Sequence, residues 1–124
     1  MKKTNPNSSS RDNSLDREQY LYLTTRGRKS GLPREIEIWF TYRDRLFYLI
    51  AEYATSNWIR NLSANPEAQL RVGGKSFAVR ARTVAPETEP ELHRVVAELS
   101  REKYGWGDGT VVELVPESAA KADG

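Results

Sequence analysis

The sequence predicts a mainly β domain of α+β composition: an antiparallel barrel or roll of about six strands carrying two helices. Three observations predict it. Apolar runs follow one another with short polar breaks, Gly73-Gly74 separates two such runs, and only two stretches carry helical spacing. A doubly wound parallel sheet needs a crossover between most strands, which this order of runs does not supply.

The first strand is expected over residues 20–25 (YLYLTT), with Leu21 and Leu23 facing one way and Tyr20 and Tyr22 the other. Residues 35–42 (EIEIWFTY) begin as a strict charged/apolar alternation, the pattern of a half-buried strand with Ile36, Ile38 and Phe40 in the core. A polar turn at 43–45 (RDR) leads to 46–51 (LFYLIA), which is apolar on both faces and is the candidate for the central strand. Residues 54–57 (ATSN) offer N-cap side chains to a short helix with Trp58 and Leu62 on one face, stopped by Asn65-Pro66.

Gly73-Gly74 should join strands at 68–72 and 75–84 through a primed turn. The second helix opens on a capping-box pattern, Thr88-Glu89-Pro90-Glu91, buries Leu92, Val95, Val96 and Leu99, and ends at Gly105. His93, beside that stripe, reads as a helix-surface or boundary residue. Residues 110–115 (TVVELV) close the sheet. Residues 1–14 are polar and expected to be a disordered tail, and 117–124 a frayed one, leaving a single domain over 15–116.

Composition removes several chemistries. The 19 Lys and Arg against 17 Asp and Glu give a net charge of only +2, too balanced for a general nucleic-acid binder. The absence of cysteine excludes disulfides, thiolate zinc sites, iron–sulfur clusters and cysteine nucleophiles, and a single histidine makes no histidine-rich metal site, so no metal is expected. Neither a signal-peptide core nor an 18-residue apolar run is present, so a soluble, cytoplasmic protein without stable membrane insertion is expected.

The candidate site is the loop at 24–34, TTRGRKSGLPR. It gathers four cations (Arg26, Arg28, Lys29, Arg34), two glycines (Gly27, Gly31) and three hydroxyls (Thr24, Thr25, Ser30). Positive φ at the glycines would turn the intervening amides into a concave nest, with Ser30 and the cations adding further donors for a phosphate. The same residue types also build any solvated hairpin turn, so the loop alone leaves both readings open. It is not a Walker A loop, because no glycine stands directly before Lys29.

Ordinary catalytic templates are missing, and Glu35 and Glu37 alternate with core residues and face solvent. An organic cofactor is the remaining way to carry a reaction, since it asks the protein only for anion clamps, aromatic walls and backbone donors. Trp39, Tyr48, Tyr53, Trp58, Tyr104 and Trp106 can supply walls. Trp39, Tyr48 and Trp58 lie inside regular elements and serve equally well as core, whereas Tyr53, Tyr104 and Trp106 sit in loop-like contexts.

Three segments carry a resemblance: LTTRGRKSGLPRE (23–35), WIRNLSANPEAQLRVGG (58–74) and ARTV (81–84). Together they resemble the deazaflavin-dependent nitroreductase family, small split β-barrel proteins of the FMN-binding, flavin-reductase-like type, over roughly residues 20–115. The resemblance implies an oxidoreductase that uses reduced 8-hydroxy-5-deazaflavin, coenzyme F-420, to pass a hydride to a nitroaromatic, quinone or enone. It implies a cofactor-binding set of Thr25, Gly27, Arg28, Lys29, Ser30, Gly31, Arg34, Trp58 and Asn61, with the ring along Ile50, Ala51 and Glu52. Tyr53, Tyr104 and Trp106 are the implied acceptor-side residues, and the cofactor, not a side chain, carries the hydride. The chain departs from the family pattern at 51–56 (AEYATS), where many relatives are glycine-rich.

Alternatives on the same fold are an FMN-binding protein or a non-enzymatic flavin or deazaflavin carrier. A basic module touching nucleic acid through Arg26, Arg28, Lys29, Arg71, Arg80 and Arg82 is disfavoured by the charge balance. Pairing of two copies into a homodimer through a sheet face is compatible with the pattern.

Overall fold

The computed structural model describes residues 15–117, so the tails expected at 1–14 and 117–124 lie outside it except for Glu117. The strands are β1 (Leu21–Arg26), β2 (Pro33–Ile38), β3 (Thr41–Arg43), β4 (Leu46–Ala51), β5 (Glu67–Val72), β6 (Lys75–Val84) and β7 (Thr110–Pro116). Helix α1 (Asn57–Ala64) lies between β4 and β5, and α2 (Pro90–Tyr104) between β6 and β7. All pairings are antiparallel, in the order β2-β1-β5-β6-β7-β4-β3.

Leu21 and Leu23 of β1, Leu49 of β4, Leu70 of β5, Val79 of β6 and Leu114 of β7 are fully buried and belong to one cluster. Side chains from both halves of a seven-stranded sheet can meet only if the sheet curls, which is the split-barrel architecture the sequence predicts. A second cluster, Tyr48, Val84, Val96 and Val111, lies between the sheet's other face and α2. Hence β4 is buried on both sides although it is not the central strand, a position that β6 occupies. Its double burial comes from the helix over it.

The run at 35–42 is two strands instead of one, which raises the count from six to seven. The break falls at Phe40, whose backbone groups are taken by the end of α2 and not by a strand neighbour. Phe40 N–H donates to Tyr104 Oη at 3.0 Å, and Lys103 Nζ donates to Phe40 O at 3.0 Å. Phe40 itself is core, while Ile36 and Ile38 are half-buried against it.

Both tight hairpins use two positive-φ residues, as primed turns require: Gly73-Gly74, and Asp44-Arg45 in a position where glycine would be easier. The capping box of α2 does not form. The helix starts one residue later than the box requires, with Glu89 as N-cap and its carboxylate held by Arg82 at 2.5 and 3.0 Å, while the Glu91 carboxylate that would close the box is held by Arg94. The buried stripe of α2 is turned toward Val96, Ala97 and Ser100, leaving Leu92, Val95 and Leu99 half-buried. Gly105 ends the helix in the left-handed conformation. Gly107 allows a close approach, since a Cβ there would meet Ala97 O at 2.3 Å. No helix among the described residues is long and apolar enough to cross a membrane.

Candidate functional site

Strand β1 runs into the basic loop, β2 leaves it, and α1 packs across its flank. These three elements enclose a cleft of about 640 Å³ lined by Thr25, Gly27, Arg28, Lys29, Ser30, Pro33, Arg34, Glu35, Ile36, Asn57, Trp58 and Asn61. That volume falls in the range of small-molecule sites.

The loop is held by its own bonds. Gly27 N–H donates to Leu32 O and Gly31 N–H to Gly27 O, each at 2.8 Å, so both glycine amides are spent within the loop, and of the intervening amides expected to form a nest that of Arg28 goes to Asn61 Oδ1. Only Gly31 has positive φ, at 74°. Gly27 gives space instead: a Cβ there would lie 2.8 Å from Ser30 Oγ and 3.3 Å from Leu32 O. Arg26 donates to Gly31 O at 2.8 Å and so closes the loop. Ser30 Oγ accepts from Leu32 N–H at 3.1 Å, which leaves the hydroxyl proton for another acceptor.

Asn61 of α1 joins the parts. Its Oδ1 accepts from Arg28 N–H at 3.1 Å and from Arg28 Nη1 at 2.9 Å, while its Nδ2 donates to Thr25 Oγ1 at 3.1 Å. Asn57, one turn earlier, accepts from Arg28 Nη2 at 3.4 Å. Thr25 and Asn61 are buried, whereas Arg28, Lys29, Ser30 and Arg34 stand exposed around them.

Among the described residues no carboxylate lies within ion-pairing distance of Arg28, Lys29 or Arg34. The one acid lining the cleft, Glu35, is 3.3 Å from Arg71 Nη2. The cleft is therefore a cationic pocket with one apolar wall, Trp58, and suits an anionic group attached to an apolar body.

Thr25, Gly27, Arg28, Lys29, Ser30, Arg34, Trp58 and Asn61 thus meet in one cleft, with Gly31 at the turn behind it. The expected ring and acceptor residues do not join them. Glu52 and Tyr53 are exposed in the loop before α1, and Ala51 is buried in β4. Ile50, Tyr104 and Trp106 line a separate gap of about 30 Å³ with Trp39, Thr41 and Tyr48, too small for a ring system.

Tyr104 is engaged there structurally: it stacks on Trp39 at 4.3 Å and 5°, and its hydroxyl lies 2.9 Å from both Gln19 O and Phe40 O. Burial pushes its phenol up to about 12. Ser100 Oγ donates to Trp106 O at 2.5 Å.

Asn57 and the floor residues Pro33 and Ile36 were absent from the sequence-predicted set. The i, i+4 spacing of Asn57 and Asn61 on a short helix is the signal that pairs their amides on one face.

Comparison with known proteins adds the lineage. The family model for F420H(2)-dependent quinone reductases matches residues 3–112. An F420H(2)-dependent quinone reductase of Mycobacterium tuberculosis H37Rv is 34% identical over 92 residues, covering 68% of this chain and 60% of the relative. The match therefore spans about 60% of that relative's length. Two solved structures share the fold. One, an F420-H2-dependent reductase, has a TM-score of 0.65 at 23% identity, over 81% of this chain and 96% of its own. The other, a domain-swapped dimer, has a TM-score of 0.63 at 20% identity, over 90% and 99%. The deazaflavin resemblance of the loop and helix motifs thus extends to nearly the whole chain, which belongs to the F420H(2)-dependent quinone reductase family.

Proposed function

We propose that the protein is an oxidoreductase that uses reduced coenzyme F-420 to reduce an electron-poor acceptor, with quinones as the first class to assay and nitroaromatics and enones as further ones. One observation carries it: in a chain of this family, a cleft of about 640 Å³ presents three cations with no acidic partner among the described residues. The donor set fits a phosphorylated, acidic coenzyme. Arg28, Lys29 and Arg34 supply charge-assisted donors, Ser30 a hydroxyl proton, and Trp58 an apolar wall.

Bound in reduced form, that coenzyme supplies a hydride, so the protein's own work is to bind, orient and exclude water. Arg28, Lys29 and Arg34 fix the charged end, and Gly27 leaves room for the Ser30 hydroxyl. Trp58 dries one side. The reading includes Tyr53, Tyr104 and Trp106 as acceptor-side residues only if the acceptor enters from outside the cleft, since none of them lines it. It also includes a cytoplasmic location and a homodimer, the latter supported by the shared fold of a domain-swapped dimer and by exposed Tyr20, Leu32, Trp39 and Tyr53.

The test is titration of the purified, folded protein with F-420, followed by the ring fluorescence. Saturable binding in the micromolar range, then consumption of reduced F-420 on adding a quinone, is the expected result. No saturable binding at those concentrations overturns it. FMN is the second reading, because the cationic end recognises a phosphate without specifying the ring. A yellow preparation with a flavin absorption band would select it.

A further inference from the structure

Arg28 is exposed, yet both its backbone and its guanidinium are tied to α1. The guanidinium makes two contacts, Nη1 to Asn61 Oδ1 and Nη2 to Asn57 Oδ1, and the backbone N–H adds a third to Asn61 Oδ1; all go to neutral amides. A carboxylate in the same place would hold the side chain more strongly, but would cancel its charge. The amide oxygen of Asn61 is filled by the two Arg28 donors, and its Nδ2 is tied to the buried hydroxyl of Thr25 on β1. Asn61 thus has its acceptor fully used by the protein and sits beneath the cation, not beside it.

We propose that Asn61 is a positioning residue: its neutral amide fixes Arg28 between β1 and α1 while leaving the guanidinium charge uncompensated for a phosphate group in the cleft. The proposal rests on the anion-binding half of the functional reading above and is independent of which ring the ligand carries. The choice of asparagine over aspartate is then a choice of charge, since the two have nearly the same shape and both can accept from Arg28. Thr25 can turn its hydroxyl to donate to an aspartate, so the local bonds survive that exchange.

This separates two roles that deletion alone would confuse. If Asn61 served only to hold the loop, Asn61→Asp would behave like the wild type and Asn61→Ala would be the poorer variant. If it leaves the Arg28 charge unpaired for a ligand, the ranking reverses: Asn61→Ala weakens anion binding through disorder, and Asn61→Asp weakens it more by forming an ion pair with Arg28.

The experiment uses the full chain, isotopically labelled, with inorganic phosphate as the probe and the amide shifts of Arg28, Lys29 and Ser30 as the readout. Melting temperature is measured alongside. Wild-type protein should bind phosphate saturably, and Asn61→Asp should bind it at least about tenfold more weakly with an unchanged or higher melting temperature. Asn57→Asp serves if Asn61→Asp fails to fold. It places a carboxylate against Arg28 Nη2 at an exposed first-turn position that favours acids, and should weaken phosphate severalfold.

Equal binding by Asn61→Asp, a weaker Asn61→Ala, or a wild type that takes no phosphate overturns the proposal. Repeating the series with F-420 keeps the two readings apart. Phosphate ranking as expected with no F-420 binding defeats the coenzyme alone, and F-420 binding indifferent to Asn61→Asp defeats this inference alone.

Discussion

Two arginines, Arg28 beneath α1 and Arg82 beneath α2, are fixed with equal care and opposite chemistry. Arg28 leans on two amides, which leave its charge unpaired. Arg82 is clamped between two carboxylates, Glu89 at 2.5 Å and Glu113 at 2.8 Å, and its hydrogen bonds to Glu89 raise its affinity for its proton further. Glu113 is buried and also accepts from Tyr48 Oη at 2.9 Å. Burial, more than that bond, pushes the Tyr48 phenol up.

The same contrast runs through each side. Around α2, Lys103, Tyr104 and Ser100 bond to backbone carbonyls, and burial lowers the Lys103 ammonium despite Asp16 at 3.6 Å. Around α1, Arg28, Lys29 and Arg34 have no acidic partner among the described residues. Polar groups satisfied inside the fold hold it together; those left unneutralised are available to a ligand.

The strongest way to break this comparison is on the α2 side. Arg82→Met leaves the Glu113 carboxylate buried without its cation. It should cost about 2 to 3 kcal/mol, less than a fully buried pair because nearly half of the Arg82 side chain meets solvent. Thermal melting should fall by about 10 °C while anion affinity in the cleft stays within about twofold. A variant that melts normally but binds poorly would invert the assignment of the two sides.

Next in size is the double variant Arg28→Ala with Lys29→Ala. Loss of charge-assisted bonds worth about 1.5 to 3 kcal/mol each should weaken F-420 more than tenfold, with melting nearly unchanged. An equal loss of stability would make the basic loop part of the scaffold.

The smallest effect sharpens the α2 side. Tyr104→Phe removes the acceptor of Phe40 N–H and should cost about 1 kcal/mol at neutral pH. The wild-type phenol holds its proton to about 12, against 10.0 ordinarily, so its contribution is complete below pH 10 and is lost as pH rises through 12. Melting curves of the two proteins should therefore converge over that window. Parallel curves would mean that the hydroxyl is not held as described.

Local patterns were readable because local physics makes them. The alternation at 35–38, the Gly73-Gly74 turn and the Gly105 stop each depend on a few neighbouring residues, and each recurs in the fold. Position in the sheet was not readable. β4 looks central because it is apolar on both faces, yet only the docking of α2, some forty residues later in the chain, produces that burial. The α2 cap failed on a shift of one residue: Thr88-Glu89-Pro90-Glu91 is a sound local signal, but the helix starts with Glu89 as N-cap and Arg94 takes the Glu91 carboxylate.

For the site, charge and motif were enough to collect the residues of the cleft. They were not enough to say that Gly27 serves spacing, that Arg26 closes the loop, or that Tyr104 spends its hydroxyl on Phe40. Those roles depend on which atoms face one another.

Edge strand β2 has a consequence for motion. Among the described residues its only strand partner is β1; it is mostly exposed and delivers Arg34 to the cleft, whereas Arg28 is anchored to α1. At the far end of β2, Phe40 is pinned by a contact that reaches 64 residues along the chain to Tyr104. The stretch between is a small opening unit, tethered at one end, whose amide protons should exchange before those of β6. An anion held by both Arg28 and Arg34 would staple that unit shut, so occupancy of the cleft is converted into slower exchange along β2.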